Sequence, residues 1–280
     1  MKKILALILV AIMAVFTLVA CKEAAPEGGE VVDENGETVE VLTCGVTIFE
    51  NMNEQNEDGS WTGFETEFAE AVAELLGMKA EFQVIDWQQK YNEVNSGAID
   101  CIWNGFTANS TDKINGIDVE RSELVDFSYG YMLNQQCIVV RADKLAEITS
   151  EADLAGKTAC VEGGSAGAAY AETVTDADKI FAATAQINAF TEVKSGASDF
   201  AVVDIILAQN ICGQGDYADL AIVEAIELDS EIYAVGFKKG SDLTAKVNTA
   251  IKTLEENGTL LALAEKYGFE NVLKVTETIE

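Results

Sequence analysis

Histidine is absent from the 280 residues of this chain, and proline occurs once. Without histidine the chain lacks the usual general base, the Ser-His and Cys-His dyads and the commonest metal-binding side chain. Basic residues are also scarce, with 18 Lys and Arg against 48 Asp and Glu and a formal charge of -30. A surface of that charge repels phosphate backbones. The composition therefore removes most hydrolase mechanisms and argues against nucleic acid as a partner.

The six cysteines form neither a metal-binding nor a disulfide pattern. No Cys-x-x-Cys pair occurs, so we expect no zinc site. We also predict no other metal and no cofactor. Five cysteines lie in apolar runs, where we expect them to be small buried core residues. These are Cys44, Cys101, Cys137, Cys160 and Cys212. A disulfide between Cys44 and Cys101 stays open as an alternative, because both fall on predicted strands of one half.

Residues 1–20 have the composition of a signal peptide, with two lysines followed by an apolar run over 4–20. That run is too short, and its flanks too one-sided, for a membrane span. The small and apolar residues before Cys21 resemble a bacterial lipobox. The resemblance implies that Cys21 is lipidated and holds an extracytoplasmic protein at the cell membrane. An ordinary secretory signal followed by a chance cysteine is the alternative.

The segment after Cys21 is rich in Glu, Gly and Ala and has almost no large apolar side chains. Such a composition cannot bury enough surface to offset the entropy lost on ordering. We therefore expect a flexible tether over residues 21–40. A single anchor on a tether favours a monomer that reaches a partner in the membrane.

From residue 41 onward short β-rich runs alternate with helical periodicity, which predicts an α/β fold. Strands are predicted at 41–48, 81–85, 99–103, 137–141, 158–161, 179–182, 200–203 and 232–237. The clearest helix spans 62–78 and ends at Gly77, and two more close the chain at 242–257 and 259–267. In the first of these helices Glu65, Glu67, Glu70 and Glu74 are expected on a solvated face.

The strands fall into two groups, which predicts two lobes. The first lobe is assigned to residues 41–131 and 233–270, and the second to 137–227. The chain is expected to cross between them at 132–136 and 228–232.

An ordered set of short motifs covers residues 41–270. They are DGSWTGFE at 58–65, DW at 86–87, SGAID at 96–100, NGFT at 104–107, DFS at 126–128, GSA at 164–166, DFAVVD at 199–204 and LEENGT at 254–259. In this order they resemble the solute-binding proteins of polar amino acid ABC transporters, solute-binding protein family 3. The resemblance implies a two-lobed type II periplasmic-binding-protein fold with two crossover hinge segments. It also implies a binding lipoprotein, not an enzyme, that closes around a free amino acid like a Venus flytrap and delivers it to permease subunits.

A free amino acid needs donors for its carboxylate, an acceptor for its ammonium group and a pocket for its side chain. The glycine-rich turn at 163–167 lies between a strand and a helix, where backbone N–H groups favour an anion, although it also fits a plain tight turn. Asp204 ends an apolar strand and expects a cationic partner, or it caps the next helix. The resemblance places the ammonium group on Asp204. The ligand-binding residues that it implies are Phe49, Trp87, Asn104, Gly105, Thr107, Arg121, Ser165, Ala166 and Asp204.

The arginine that binds the ligand carboxylate in the resembling family follows the threonine at a fixed interval, but here that interval reaches Asp112. Arg121, nine positions further on, keeps the spacing to the DFS motif. The resemblance therefore implies a longer loop before Arg121, whose planar guanidinium suits bidentate pairing with a carboxylate. Lys113 is the alternative.

Four polar residues at predicted loop tips are candidates for contact with the ligand side chain. They are Glu50, Asn51, Asn53 and Glu162. Acidic residues there favour a polar or cationic amino acid over an acidic one. On so acidic a chain, Glu50 and Glu162 also fit as ordinary solvated residues.

Two other functions stay open. One is an enzyme on the same scaffold, similar to the cyclohexadienyl dehydratases, with acid catalysis by Glu50 or Glu162. The other is a sensor lipoprotein that passes an amino acid to a membrane receptor.

Overall fold

The computed structural model describes residues 30–32 and 38–279. The predicted signal peptide, the lipidation of Cys21 and most of the predicted tether lie outside the described residues. Within that part of the chain, no helix is long and apolar enough to cross a membrane.

The helices follow the periodicity of the sequence. They are α1 (Phe64–Leu76), α2 (Lys90–Ser96), α3 (Arg121–Leu124), α4 (Ala166–Val174), α5 (Gln186–Ser195), α6 (Ile205–Ile211), α7 (Leu243–Glu256) and α8 (Thr259–Tyr267). The three predicted helices correspond to α1, α7 and α8. Gly77 ends α1 in the left-handed conformation, at a φ of 69° that glycine adopts without steric cost.

The strands are short and, in the region of the predicted fold, each predicted strand overlaps an observed one. They are β1 (Glu30–Val32), β2 (Thr38–Val46), β3 (Glu54–Gln55), β4 (Trp61–Thr62), β5 (Met78–Val84), β6 (Cys101–Ile102), β7 (Thr111–Ile114), β8 (Ile117–Glu120), β9 (Asp126–Phe127), β10 (Gly130–Arg141), β11 (Ala159–Glu162), β12 (Ile180–Ala183), β13 (Phe200–Asp204), β14 (Leu220–Ile222), β15 (Ser230–Tyr233), β16 (Gly236–Phe237) and β17 (Leu273–Thr276). The α/β prediction is confirmed.

Two sheets carry the fold. The first has the order β1-β2-β6-β16-β9, with β5 paired to β2, and the second has the order β12-β11-β13-β10-β14, with β15 and β17 paired to β10. In the first sheet β2 runs parallel to β5 and β6, and in the second β11 runs parallel to β12 and β13. The carboxyl ends of parallel strands are where α/β sheets place ligands.

The long strand β10 connects the two halves. Its first part pairs with β15 from Met132 opposite Tyr233 to Gln135 opposite Ser230. Its second part pairs with β13 from Gln136 onward. The two predicted crossing segments, 132–136 and 228–232, therefore pair over most of their length, as residues 132–135 opposite 230–233.

The predicted tether is wrong at its end. Strand β1 pairs with residues 38–40, and β2 begins at Thr38, three positions before the predicted start of the fold. Composition did not predict this pairing, because a ladder is built from backbone hydrogen bonds that any residue except proline supplies.

The expected core role of the cysteines is confirmed for four of them. Cys44, Cys101, Cys137 and Cys160 are buried and Cys212 is half-buried, and all five are free thiols. The alternative of a disulfide between Cys44 and Cys101 is not met, although their Sγ atoms lie 3.6 Å apart. Trp103 is also buried in the core, with its ring edge-on to Phe68.

The longer loop before Arg121 is a β-hairpin. Strands β7 and β8 pair from Thr111 opposite Glu120 to Ile114 opposite Ile117. Asn115 and Gly116 form its two-residue turn, both with positive φ. An Asn-Gly pair at such a turn is a strong hairpin signal.

Candidate ligand-binding site

A narrow pocket lies between the two sheets. Its lining comes from the loop after β6, the start of α3, strand β10, the ends of β11 and β13, and the starts of α4 and α5. The lining residues are Trp87, Asn104, Gly105, Thr107, Arg121, Gln136, Glu162, Ser165, Ala166, Gln186 and Asp204. All the predicted ligand-binding residues except Phe49 are among them, as is Glu162.

Asp204 lies at the end of β13 and is buried in a network of amides. Its Oδ1 accepts hydrogen bonds of 2.6 Å from the side chains of Asn134 and Gln136. Its Oδ2 accepts one from Gln186, whose own oxygen accepts the backbone N–H of Asp204 at 2.8 Å. The side chain makes no capping bond to α6, although Asp204 occupies the N-cap position. Burial raises the pKa of this carboxyl, while the amides oppose the rise.

Glu231 shares the same amide donors. Its Oε2 accepts from Asn134 at 2.6 Å and from Gln136 at 3.0 Å, and also from the hydroxyl of Thr107 at 3.2 Å. Burial and the nearby charge of Asp204 raise the pKa of Glu231 to about 7. Two carboxylates therefore lie close together with neutral hydrogen-bond partners.

Glu162 ends β11 and lines the pocket, with only 3% of its surface exposed. Its Oε1 has no hydrogen-bond partner among the described residues. Burial, followed by the charge of Asp204, raises the pKa of Glu162 to about 8. A buried carboxylate oxygen without a partner is costly, so this position calls for a donor or a cation.

Ser165 and Ala166 begin α4 at the edge of the pocket. The hydroxyl of Ser165 accepts the backbone N–H of Ala168 at 3.0 Å, which caps the helix. The first N–H groups of a helix have no acceptor within it and carry partial positive charge. The turn therefore has the local geometry predicted for an anion site.

Arg121 is buried, and its guanidinium is held by oxygens of the protein. Nε and Nη2 donate to Oδ1 of Asp112 at 3.1 and 2.8 Å, Nη1 donates to the carbonyl of Thr107 at 3.0 Å, and Nη2 also reaches the carbonyl of Gly164 at 3.4 Å. The guanidinium carbon lies 5.1 Å from the ring centre of Phe106. The spacing to the DFS motif thus predicted the arginine that reaches the pocket.

The remaining predicted residues lie elsewhere. Phe49 is buried in the core, and its ring packs behind Gly105, where a Cβ would meet it at 3.1 Å. Glu50 is exposed, and neither it nor Asn51 lines the pocket. Asn53 is buried and accepts a hydrogen bond of 2.8 Å from Asn104. Lys113 is exposed and pairs with Glu172 at 2.5 Å.

The prediction of a solvated face on α1 is wrong for Glu65, which is fully buried. Its two oxygens accept the backbone N–H of Gly105 at 2.9 and 3.1 Å, and Tyr131 donates to it as well. Burial raises its pKa to about 7. Helical spacing alone could not find it, because these partners lie 40 and 66 positions away.

Other polar residues of the site were not predicted. These are Gln136, Gln186, Asn134, Glu231, Lys90 and Asp112. Gln136 and Asn134 fall inside the predicted crossing segment, and a run of three polar residues, 134–136, in a mostly apolar strand was the available signal. No group of three or more Cys, Asp and Glu side chains among residues 30–32 and 38–279 is arranged to hold a metal ion.

Residues 42–271 match the family model of the bacterial extracellular solute-binding proteins, family 3. The chain belongs to this family. The match covers most of both sheets and contains every residue that lines the pocket. The family is extracellular by description, which places the folded part outside the cytoplasm.

Relatives and solved structures agree with this membership. The arginine-binding extracellular protein ArtP of Bacillus subtilis is 29% identical over 95% of this chain and 98% of its own length. A substrate-binding protein of an ABC uptake transporter from Streptococcus pneumoniae, solved with bound histidine, superposes with a TM-score of 0.72, 30% identity and coverage of 84% of this chain and 94% of that chain. The ancestral amino acid-binding protein AncCDT-1, a precursor of cyclohexadienyl dehydratase, has a TM-score of 0.69, 27% identity and coverage of 81% and 95%.

Proposed function

We propose that this chain captures a free amino acid with a polar or cationic side chain in the pocket between its sheets and delivers it to an ABC transporter permease. One observation carries the proposal: the pocket has donors on one side and carboxylates on the other. The start of α4 and the fifth N–H of Arg121, which is not directed at an oxygen of the described residues, supply donors, and Asp204 and Glu162 supply acceptors. The relatives named above, which bind arginine and histidine, support this class of ligand.

In the proposed complex the ligand carboxylate lies between Arg121 and the first N–H groups of α4. The ligand ammonium lies on Asp204, whose amide partners fix its orientation. The polar end of the ligand side chain supplies the partner that Glu162 lacks.

Capture is proposed to follow a hinge between two lobes, residues 41–131 with 233–270 and residues 137–227. Contacts across the pocket support a closed arrangement: the ammonium of Lys90 donates to the carbonyl of Gly164 at 2.8 Å, and Lys113 pairs with Glu172. Ligand groups drawn from both sides are satisfied together only when the lobes meet, so binding stabilises closure by its differential affinity.

Anchoring through a lipid on Cys21 and delivery as a monomer complete the proposal. Replacing Cys21 with Ala should release the protein from the cell into the medium. A Cys21→Ala protein that stays with the membrane fraction contradicts the anchor and leaves the binding function untouched.

A thermal-shift screen of the purified protein tests the binding function, with the twenty amino acids plus cystine, ornithine and citrulline as probes. A ligand that binds the folded state alone raises the melting temperature, and the rise grows with its concentration. We expect a shift with one or two polar or cationic amino acids. No shift with any of them, after unfolding and refolding to remove ligand carried through purification, rejects the proposal.

An enzyme of the dehydratase class is the second candidate, favoured by the buried Glu162 and the similarity to a dehydratase precursor. A carboxyl with a pKa of about 8 keeps its proton at neutral pH, as a general acid requires. The other predicted acid, Glu50, is exposed and outside the pocket. Turnover of prephenate or arogenate that is lost in Glu162→Gln would establish this candidate.

A further inference from the structure

A buried cluster of three charges lies directly behind the pocket. Asp112 is bonded through Oδ1 to Arg121 at 2.8 Å and lies 3.3 Å through Oδ2 from the ammonium of Lys90. The side chains of Lys90 and Arg121 are 2% and 1% exposed. Tyr91 donates a further hydrogen bond of 2.6 Å to Asp112. Every oxygen of this carboxylate is therefore occupied from within the protein.

The cluster holds two cations and one anion, so it carries a single net positive charge. Burial, followed by the charge of Arg121, lowers the pKa of Lys90 to about 8, and Asp112 opposes that fall. Arginine has five N–H donors, and four of those of Arg121 are directed at oxygens of the described residues. Removing Asp112 would leave two buried positive charges and free the Nε edge of the guanidinium.

The carboxylate comes from the hairpin that precedes Arg121. Asp112 is the second residue of β7 and is buried, whereas the next two residues of the strand, Lys113 and Ile114, are exposed. The opposite strand contributes the exposed Asp118. The hairpin thus delivers one acidic side chain to Arg121 and Lys90 and leaves the other in solvent.

We propose that Asp112 is a specificity-determining residue that cancels one of the two positive charges behind the pocket, so that the site accepts ligands with one carboxylate and disfavours acidic amino acids. The argument rests on the proposed function, because it assumes that the ligand carboxylate lies next to Arg121. At these distances a unit charge in a partly buried site interacts strongly with a ligand charge. Glu162 and Asp204, which line the pocket together with Arg121, and Glu231 behind them repel a second ligand carboxylate in the same sense.

Calorimetric titration with glutamine and glutamate tests the inference, because these two ligands differ by one charge and almost nothing in shape. The readout is the ratio of their dissociation constants. In Asp112→Asn we expect the ratio to move at least about tenfold toward glutamate. In the double variant Lys90→Met with Asp112→Asn, which returns the cluster to one positive charge, we expect the ratio of the unaltered protein.

Asp118→Asn is the matched control, since it removes the same charge from the same hairpin without touching Arg121. An unchanged ratio in Asp112→Asn overturns the inference, and so does an equal shift in Asp118→Asn. If Asp112→Asn does not fold, Lys90→Met alone decides: the cluster is then neutral, and the ratio should move about tenfold toward glutamine. An unchanged ratio in that variant overturns the inference.

Failure of the proposed function looks different. If the unaltered protein binds no amino acid in the thermal-shift screen, the proposed function fails and takes this inference with it. If the unaltered protein binds and only the ratio does not respond to Asp112, the inference alone fails.

Discussion

The two walls of the pocket differ in the partners that compensate their buried charges. The arginine wall consists of Thr107 and Arg121 with Lys90 and Asp112 behind them, and its cations are paired with a carboxylate of the protein itself. The carboxylate wall consists of Glu162 and Asp204 with Glu231 behind them, and its hydrogen-bond partners are amides and a hydroxyl. Both walls are buried, so the difference lies in the partners.

This difference indicates which ligand group the pocket lacks. Buried charges are tolerated when an opposite charge or several hydrogen bonds compensate them. The arginine wall is already compensated, whereas burial raises the pKa of every member of the carboxylate wall. A bound cation would therefore stabilise the carboxylate wall more than any other ligand group. We expect this wall to determine most of the ligand selectivity of the protein.

The largest expected effect comes from removing the charge of Asp204. Asp204→Asn keeps an oxygen for the amide donors but removes the anion that pairs with the ligand ammonium. We expect binding of the amino acid found in the screen to weaken by about a hundredfold or more, the size typical of a truncated buried charge pair. Calorimetric titration measures the loss.

Thermal unfolding without ligand separates this loss from misfolding. Asp204→Asn removes a buried charge, which is costly in the empty site, but it also places an amide N–H against one of the donors that Asp204 accepts, so we expect only a small change in the unfolding temperature. The exposed Asp199, at the start of the same strand, is the control, and Asp199→Asn should bind normally. Equal weakening in both variants would argue that Asp204 does not contact the ligand.

The sequence predicted some residues of each wall and missed others. Periodicity predicted the helices and strands, and the ordered motifs predicted Asp204, Arg121 and Thr107, because each lies at the end of a strand or at a fixed distance from a motif. The burial of Lys90 and Asp112 was not predicted, because each charged residue has the local sequence context of a surface position. Their burial depends on one another across 22 positions of the chain.

The hairpin could have been predicted from its turn. Asn115 and Gly116 separate two short runs, each with a β-branched residue, which is a two-residue hairpin signal. That signal would have placed Asp112 on a strand beside Arg121. It would not have shown which face of the strand is buried, because the packing against α4 decides that.

We expect an effect of intermediate size on ligand affinity when the pH is changed, because Glu162 titrates in the pocket. Its pKa is about 8 in the folded protein and 4.5 in an unfolded chain. Between these values the folded state holds the extra proton, so this group's contribution to stability declines as the pH rises through that window. A cationic ligand needs the ionised form, so its affinity should rise with pH instead.

Titration with arginine at pH 7 and pH 8 measures this. Ionisation of a group with a pKa of about 8 increases about fivefold over that interval. The affinity should rise by less than this, because Lys90, also with a pKa of about 8, loses its positive charge over the same interval. Glu65 and Glu231, with pKa values of about 7, contribute more below this range. In Glu162→Gln the rise should be much smaller, while the exposed control Glu192→Gln should keep it. A rise of full size in Glu162→Gln would assign the pH dependence to another group.

The smallest expected effect comes from the ion pair of Lys113 and Glu172, which joins the hairpin to α4 outside the buried walls. The side chains are 48% and 42% exposed, and exposed pairs contribute little because solvent and salt screen them. Lys113→Glu should weaken ligand binding by roughly threefold or less, since it opposes closure at the rim alone. The swapped pair, Lys113→Glu with Glu172→Lys, should restore binding, and the effect should vanish in high salt. A loss of affinity greater than this that persists in high salt would show that Lys113 and Glu172 take part in ligand recognition. The screened ion pair at the rim would then no longer differ from the buried charges of the two walls.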